Sequence, residues 1–139
     1  MGLVSVRPAQ AQLTDNVVHN FGLADGTNPR VGLIQATDGN YYGVTQYGGS
    51  GNGTVFKWDG TSLKTLHIFT YSDGSQPLGT VAQGSDGALY GTTFYGGSSG
   101  YGVIYKVNTD GSGFSVLHNF SYSDGANSQG DCLAASDGS

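Results

Sequence analysis

The sequence predicts an all-β protein made of β-propeller-type blades, each of four antiparallel strands. Three observations carry this. A pattern of chemistry recurs in register three times along 139 residues. Four short apolar runs fall within each full copy, at strand length. Every gap between runs holds Gly, Asp, Asn or Ser, and nothing in between has helical periodicity.

His19-Asn-Phe, His67-Ile-Phe and His118-Asn-Phe open the copies, at spacings of 48 and 51 residues. Six residues after each His stands an Asp-Gly, at Asp25, Asp73 and Asp124. A second follows 13 residues later, at Asp38, Asp86 and Asp137. Tyr42 and Tyr90 come four residues after that, Tyr47 and Tyr95 nine after. The repeats run over about 19–66, 67–117 and a partial 118–139. Residues 1–15 read as a clipped leader or a disordered tail. Ala9-Gln10-Ala11 has the small-x-small form of a leader's end, without the charged start and apolar core of one.

Within a copy, the first strand is Val31 to Gln35, matched by Gly79 to Gln83 and Gly130 to Ala134. After an Asp-Gly turn comes the second, Ala88 to Tyr95, with Leu89, Gly91, Thr93 and Tyr95 on one face and Tyr90, Thr92 and Phe94 on the other. Gly91, like Gly43, marks a place where another backbone is expected to come close. The third strand is Thr54 to Trp58 or Val103 to Val107. The fourth is Leu63 to Phe69 or Phe114 to Phe120. The chain therefore holds two complete blades plus partial blades at each end: a lone fourth strand at Val17 to Phe21 and a lone first strand at Asp131 to Ala135. A blade cannot bury both faces alone, and propellers need about four to eight of them. Further blades of a parent chain, or self-association, are the expected partners.

Composition removes several function classes. The formal charge is −5 and the five cations are scattered, so no nucleic-acid surface is expected. No apolar run has the length of a membrane span. The single cysteine, Cys132, excludes an internal disulfide and a multi-Cys zinc site. It shares a repeat position with Leu33 and Val81, which makes it a small buried hydrophobe.

All ten acids are Asp, and eight of them precede Gly. Turn formation explains those eight: Asp accepts hydrogen bonds from its own turn while Gly takes the positive φ. Asp124 to Asp131 offers oxygens to calcium, without the ligand spacing of an EF-hand. His19, His67 and His118 occupy one repeat position, so a ring spreads them apart and they are structural, not a metal set. The loops Gly48 to Gly53 and Gly96 to Gly102 precede strands, whereas a phosphate loop must open a helix. No cofactor or metal site is expected. Tyr42, Tyr90, Tyr47 and Tyr95 recur and read first as packing between blades. Tyr41, Tyr71, Tyr101 and Trp58 break the repeat or sit near turns, and are the candidates for an exposed binding platform.

The segments DGNYYGVTQYGG (38–49), DGALYGTTFYGGSSGYGVIYKV (86–107) and DGSGFSVLHNF (110–120) closely resemble the GloVer tandem repeat, over about Val17 to Ser139. The Gly-Gly break is also similar to kelch blades, but Tyr-Gly-Thr-Thr and His-x-Phe fit GloVer better. The resemblance implies a propeller-like region outside the cytoplasm, secreted or at the cell surface of a bacterium. It brings no catalytic residues. The expected function is a non-enzymatic extracellular repeat module, a scaffold or binding surface for a glycan or protein. The alternative is a piece of a propeller enzyme, such as a glycoside hydrolase or lyase, whose acids lie in other blades.

Overall fold

The computed structural model describes residues 16–135; Asp137 and residues 1–15 lie outside them. Strands β1 (Ile34–Gln35), β2 (Tyr41–Thr45), β3 (Thr54–Trp58) and β4 (Leu63–Ile68) form one antiparallel sheet in sequence order. Strands β5 (Ala82–Gln83), β6 (Leu89–Thr92), β7 (Val103–Val107) and β8 (Ser115–Asn119) form a second with the same order. These are blades 1 and 2. Val17 to Phe21 and Asp131 to Ala135 belong to no strand. The cause is local: a fourth strand needs a third to pair with, a first strand needs a second, and among the described residues neither is beside them.

Turns divide the strands as the sequence requires. The Gly after Asp has positive φ at every described Asp-Gly, from 80° at Gly39 to 141° at Gly125. In the four strand-to-strand turns the carboxylate accepts a following backbone N–H: Asn40 on Asp38, Thr61 on Asp59, Ala88 on Asp86 and Ser112 on Asp110.

Each blade has a β-bulge in β4 or β8, where pairing shifts between Val55 and Phe56 or between Ile104 and Tyr105. The extra residue is Leu66 in blade 1 and Leu117 in blade 2. Register puts Tyr42, Val44 and Val55 on one face of blade 1, and Leu66 joins them in the core cluster. Against them lie Val81, Leu89, Val103, Tyr105 and Val107 of blade 2. Tyr42, Val55, Leu89, Val103, Tyr105 and Val107 are fully buried. The core of the molecule is thus the layer between the two blades.

Phe69, at the end of β4, is also fully buried and reaches into blade 2. Its ring meets Tyr105 edge-on, with centroids 5.0 Å apart at 69°. His67 lies flat on Phe114 at 3.5 Å and 4°.

Gly43 and Gly91 differ from expectation. What approaches them is an aromatic ring, not a backbone. Each glycine is directly opposite an aromatic residue on the next strand, Phe56 or Tyr105, and that ring lies where a Cβ would be.

Candidate functional site

The two ends of the blade pair differ in chemistry. One end carries the β2–β3 and β6–β7 loops together with the connections that lead from one blade to the next. These segments lock by backbone bonds. Thr27 and Tyr47 exchange N–H···O bonds of 2.7 and 3.1 Å, and Ser75 and Tyr95 exchange bonds of 2.8 and 3.0 Å. Asn127 donates to the Tyr101 carbonyl, and Gly97 to that of Tyr71, both at 2.9 Å. Loops fixed in this way present their tyrosines on a firm base.

Five tyrosines are exposed at this end: Tyr47, Tyr71, Tyr95, Tyr101 and Tyr122. Tyr101 and Tyr122 lie 5.8 Å apart, and Tyr95 meets the Phe94 ring edge-on at 4.4 Å. The Tyr71 hydroxyl lies next to Gly100, one residue before Tyr101. Polar groups stand beside them. Gln46 donates to the Tyr47 hydroxyl at 3.0 Å and to the Gln76 side-chain oxygen at 3.1 Å, while Arg30 donates to Gln46 at 3.4 Å. Gln76 holds a φ of 54°, in the left-handed region. Its N–H donates to Asn52 across the blade boundary at 2.8 Å, and its carbonyl accepts from Phe94 at 3.0 Å. Asn28 and Asn127, at the same repeat position, share that φ at 55°.

The opposite end is ionic. Asp38 accepts from the Tyr42 hydroxyl at 2.6 Å and pairs with Lys57 at 3.5 Å. Asp86 accepts from Tyr90 at 2.9 Å and from Lys106 at 2.6 Å. The Tyr42 hydroxyl, with Asn40 and Lys57, holds the Asp38 carboxyl down at about 2. Lys106 and Tyr90 do the same for Asp86, also at about 2. An open cleft of about 340 Å³ lies between the outer turns of the blades, lined by Lys57, Asp59, Ser62, Lys64, Thr109 and Asp110. Its two acids are already engaged with Thr61, Ser62 and Ser112 of their own turns.

The histidines pair with the aspartate six residues on. The Nε2 to Oδ2 distances are 2.6 Å for His19–Asp25 and 3.2 Å for both His67–Asp73 and His118–Asp124. The other oxygen of each Asp caps the turn, accepting from Gly22, Thr70 or Ser121. Burial holds His67 below the usual histidine value despite the neighbouring Asp73. Among the described residues no group of three or more His, Cys, Asp or Glu converges. Asp124 and Asp131 each accept from a backbone N–H, of Ser121 and Thr80 respectively.

The structure divides the platform residues expected from sequence. Tyr71 and Tyr101 stand together on the loop end. Tyr41 and Trp58 are elsewhere, directly opposite each other across β2 and β3. Trp58 is half-buried beside an apolar hollow of about 190 Å³, which also includes His19, Phe21 and Leu63. Tyr42 is packed between the blades, whereas Tyr47 and Tyr95 are 37% and 41% exposed. Each stands past the end of its strand on an isolated bridge to Thr27 or Ser75, so recurrence marks a repeated surface position. Sequence reasoning also missed the His–Asp and Asp–Tyr–Lys pairings. Their signal was present in the fixed spacing of six and of four residues.

The chain matches the model of the Gloeobacter/Verrucomicrobia repeat over residues 2–139. It belongs to that repeat family. This is the GloVer resemblance carried by the Tyr-Gly-Gly and Asp-Gly segments. No curated protein and no solved structure shows significant similarity to the chain. No helix among the described residues is long and apolar enough to cross a membrane.

Proposed function

We propose that this chain is a non-enzymatic extracellular repeat module, secreted or held at a cell surface. Its blades serve as a scaffold, and its loop end is a binding surface for a glycan or a protein. The observation that carries the reading is the group of five exposed tyrosines on interlocked loops at one end. A tyrosine offers a ring to stack on and a hydroxyl to orient a polar ligand, and loses little entropy when it does so. Arg30, Gln46 and Gln76 supply hydrogen-bonding groups at the same end. The scaffold half of the reading rests on blades that bury their faces against each other, so that further blades, from this chain's own kind, are its natural partners. The eight described aspartates are held by their own turns, by His or Lys, or by the backbone of a neighbouring segment, which favours binding over acid–base chemistry.

A glycan array probed with the whole chain tests the binding half. Binding is expected to fall about tenfold or more in Tyr101→Ala and Tyr71→Ala, by loss of a stacking ring. Tyr41→Ala, at the other end, is expected to leave it unchanged. A silent array, or binding indifferent to Tyr71 and Tyr101 in folded variants, counts against the platform.

A further inference from the structure

Among the described residues nothing closes over one face of blade 2, and the repeat says what fits it. In blade 1 the residues Tyr42, Val44, Val55 and Leu66 are closed over by blade 2, with exposures of 0, 2, 0 and 9%. Their counterparts in blade 2 are Tyr90, Thr92, Ile104 and Leu117. The first three are half-buried and Leu117 is 52% exposed. His67 has Phe114 of the neighbouring blade flat against it. His118 keeps the corresponding Asp bond, yet among the described residues its ring meets only Phe120 of its own segment, edge-on at 5.1 Å.

The two ends of the described chain imitate strands of a neighbouring blade. Residues 17–21 read VVHNF, and residues 116–120 read VLHNF. Segment 17–21 lies against blade 1 as β4 lies against blade 2. Phe21 meets Phe56 at 5.2 Å and 63°, as Phe69 meets Tyr105 at 5.0 Å and 69°. His19 bonds Asp25 as His118 bonds Asp124. At the other end, Asp131 and Cys132 tie to the segment before β5: Thr80 donates to Asp131 at 2.7 Å, and Cys132 donates to the Thr80 carbonyl at 3.2 Å. Neither end segment gains a strand ladder from these contacts.

We infer that the open face of blade 2 is a docking surface for blade 1 of a second copy of this chain. β8 of one copy takes the place that residues 17–21 hold on the other. β1 of that other copy takes the place that residues 131–135 hold beside β5. The inference rests on the scaffold half of the proposed function. The contact is heterologous, head to tail, and repeats the interface already present between blades 1 and 2. Each copy adds its two described blades to the stack. No blade is left without strands, because each displaced segment only stood in for one. Exchanging VVHNF for VLHNF is close to neutral in contacts. The net drive is the burial of Tyr90, Ile104 and Leu117, opposed by the cost of association.

Sedimentation velocity of the whole chain over a wide concentration range tests this, with circular dichroism to confirm folding. Dimers or larger rings are expected to grow with concentration. Leu117→Lys places a charge in the new interface and is expected to weaken assembly about tenfold or more. Phe21→Ala loosens segment 17–21 and is expected to promote assembly. If Leu117→Lys does not fold, Phe21→Ala still decides. A folded chain that stays monomeric both as wild type and as Phe21→Ala overturns the inference, as does assembly that Leu117→Lys leaves unchanged. Glycan binding is read at the loop end, so a silent array leaves this result standing, and a monomeric chain leaves the array result standing.

Discussion

Leu66 and Leu117 occupy the same bulge position of successive blades, and only one is covered by a neighbour. Truncating each to Ala therefore measures what blade stacking contributes. Removing three carbon centres from a buried site costs about 2.4 kcal/mol at about 0.8 kcal/mol each. The unfilled cavity takes the cost at Leu66 to about 3 kcal/mol. At Leu117 half the side chain is already in water and no cavity closes over it, so the cost is about 1 kcal/mol. With a urea dependence of about 1.5 kcal/mol per molar, the midpoint falls by about 2 M for Leu66→Ala and about 0.7 M for Leu117→Ala. The assay is urea unfolding followed by Trp58 fluorescence, at a concentration low enough to keep the chain monomeric. Equal shifts, or a larger one for Leu117→Ala, would refute the claim that blade 2 shields blade 1.

Among the described residues nothing bonds the buried Tyr105 hydroxyl, and blade 1 has Phe56 in its place. Tyr105→Phe is expected to be neutral or to raise stability by about 1 kcal/mol in chemical denaturation; a loss of 2 kcal/mol or more would mean the hydroxyl is bonded. Gly91→Ala puts a methyl where the Tyr105 ring lies, and is expected to lower stability by about 2 kcal/mol, against little change on the same assay for Gly32→Ala, where a Cβ meets nothing within 4 Å. Acid should unfold the protein in a defined order. His67 is held below its ordinary value by burial, so stability begins to fall as pH drops through the ordinary histidine range near 6.5, where the unfolded chain takes up the proton first. Asp38 and Asp86, held at about 2, contribute stability that is complete above their ordinary value of 3.8 and is lost as pH falls toward about 2. Denaturation midpoints between pH 8 and pH 2 check this; a flat profile down to pH 3 contradicts it.

Strand placement was legible because the repeat fixes spacing and the turns announce themselves. Val103 to Val107 and Thr54 to Trp58 are strands at those bounds, and each β-ladder follows sequence order. What could not be read was which of two repeat-equivalent side chains a neighbour covers. Nothing in the spacing separates Leu66 from Leu117, yet one is buried and the other is not. The lone strands Val17 to Phe21 and Asp131 to Ala135 have strand-like sequences but no ladder partner, so they stay outside the sheets. The surface tyrosines show the same limit. Tyr42 and Tyr47 recur equally, but Tyr42 is buried in the layer between blades while Tyr47, past the end of β2, is exposed. The His–Asp pairs were visible as a spacing of six residues and became a bond only when the turn folded back.

The contact that most directly expresses the account is His67 of blade 1 lying flat on Phe114 of blade 2. A double-mutant cycle with His67→Gln and Phe114→Leu, read by urea unfolding, isolates it. A coupling of about 0.5–1.5 kcal/mol is expected between the two sites. Effects that simply add, to within about 0.3 kcal/mol, would contradict face-to-face stacking of the blades.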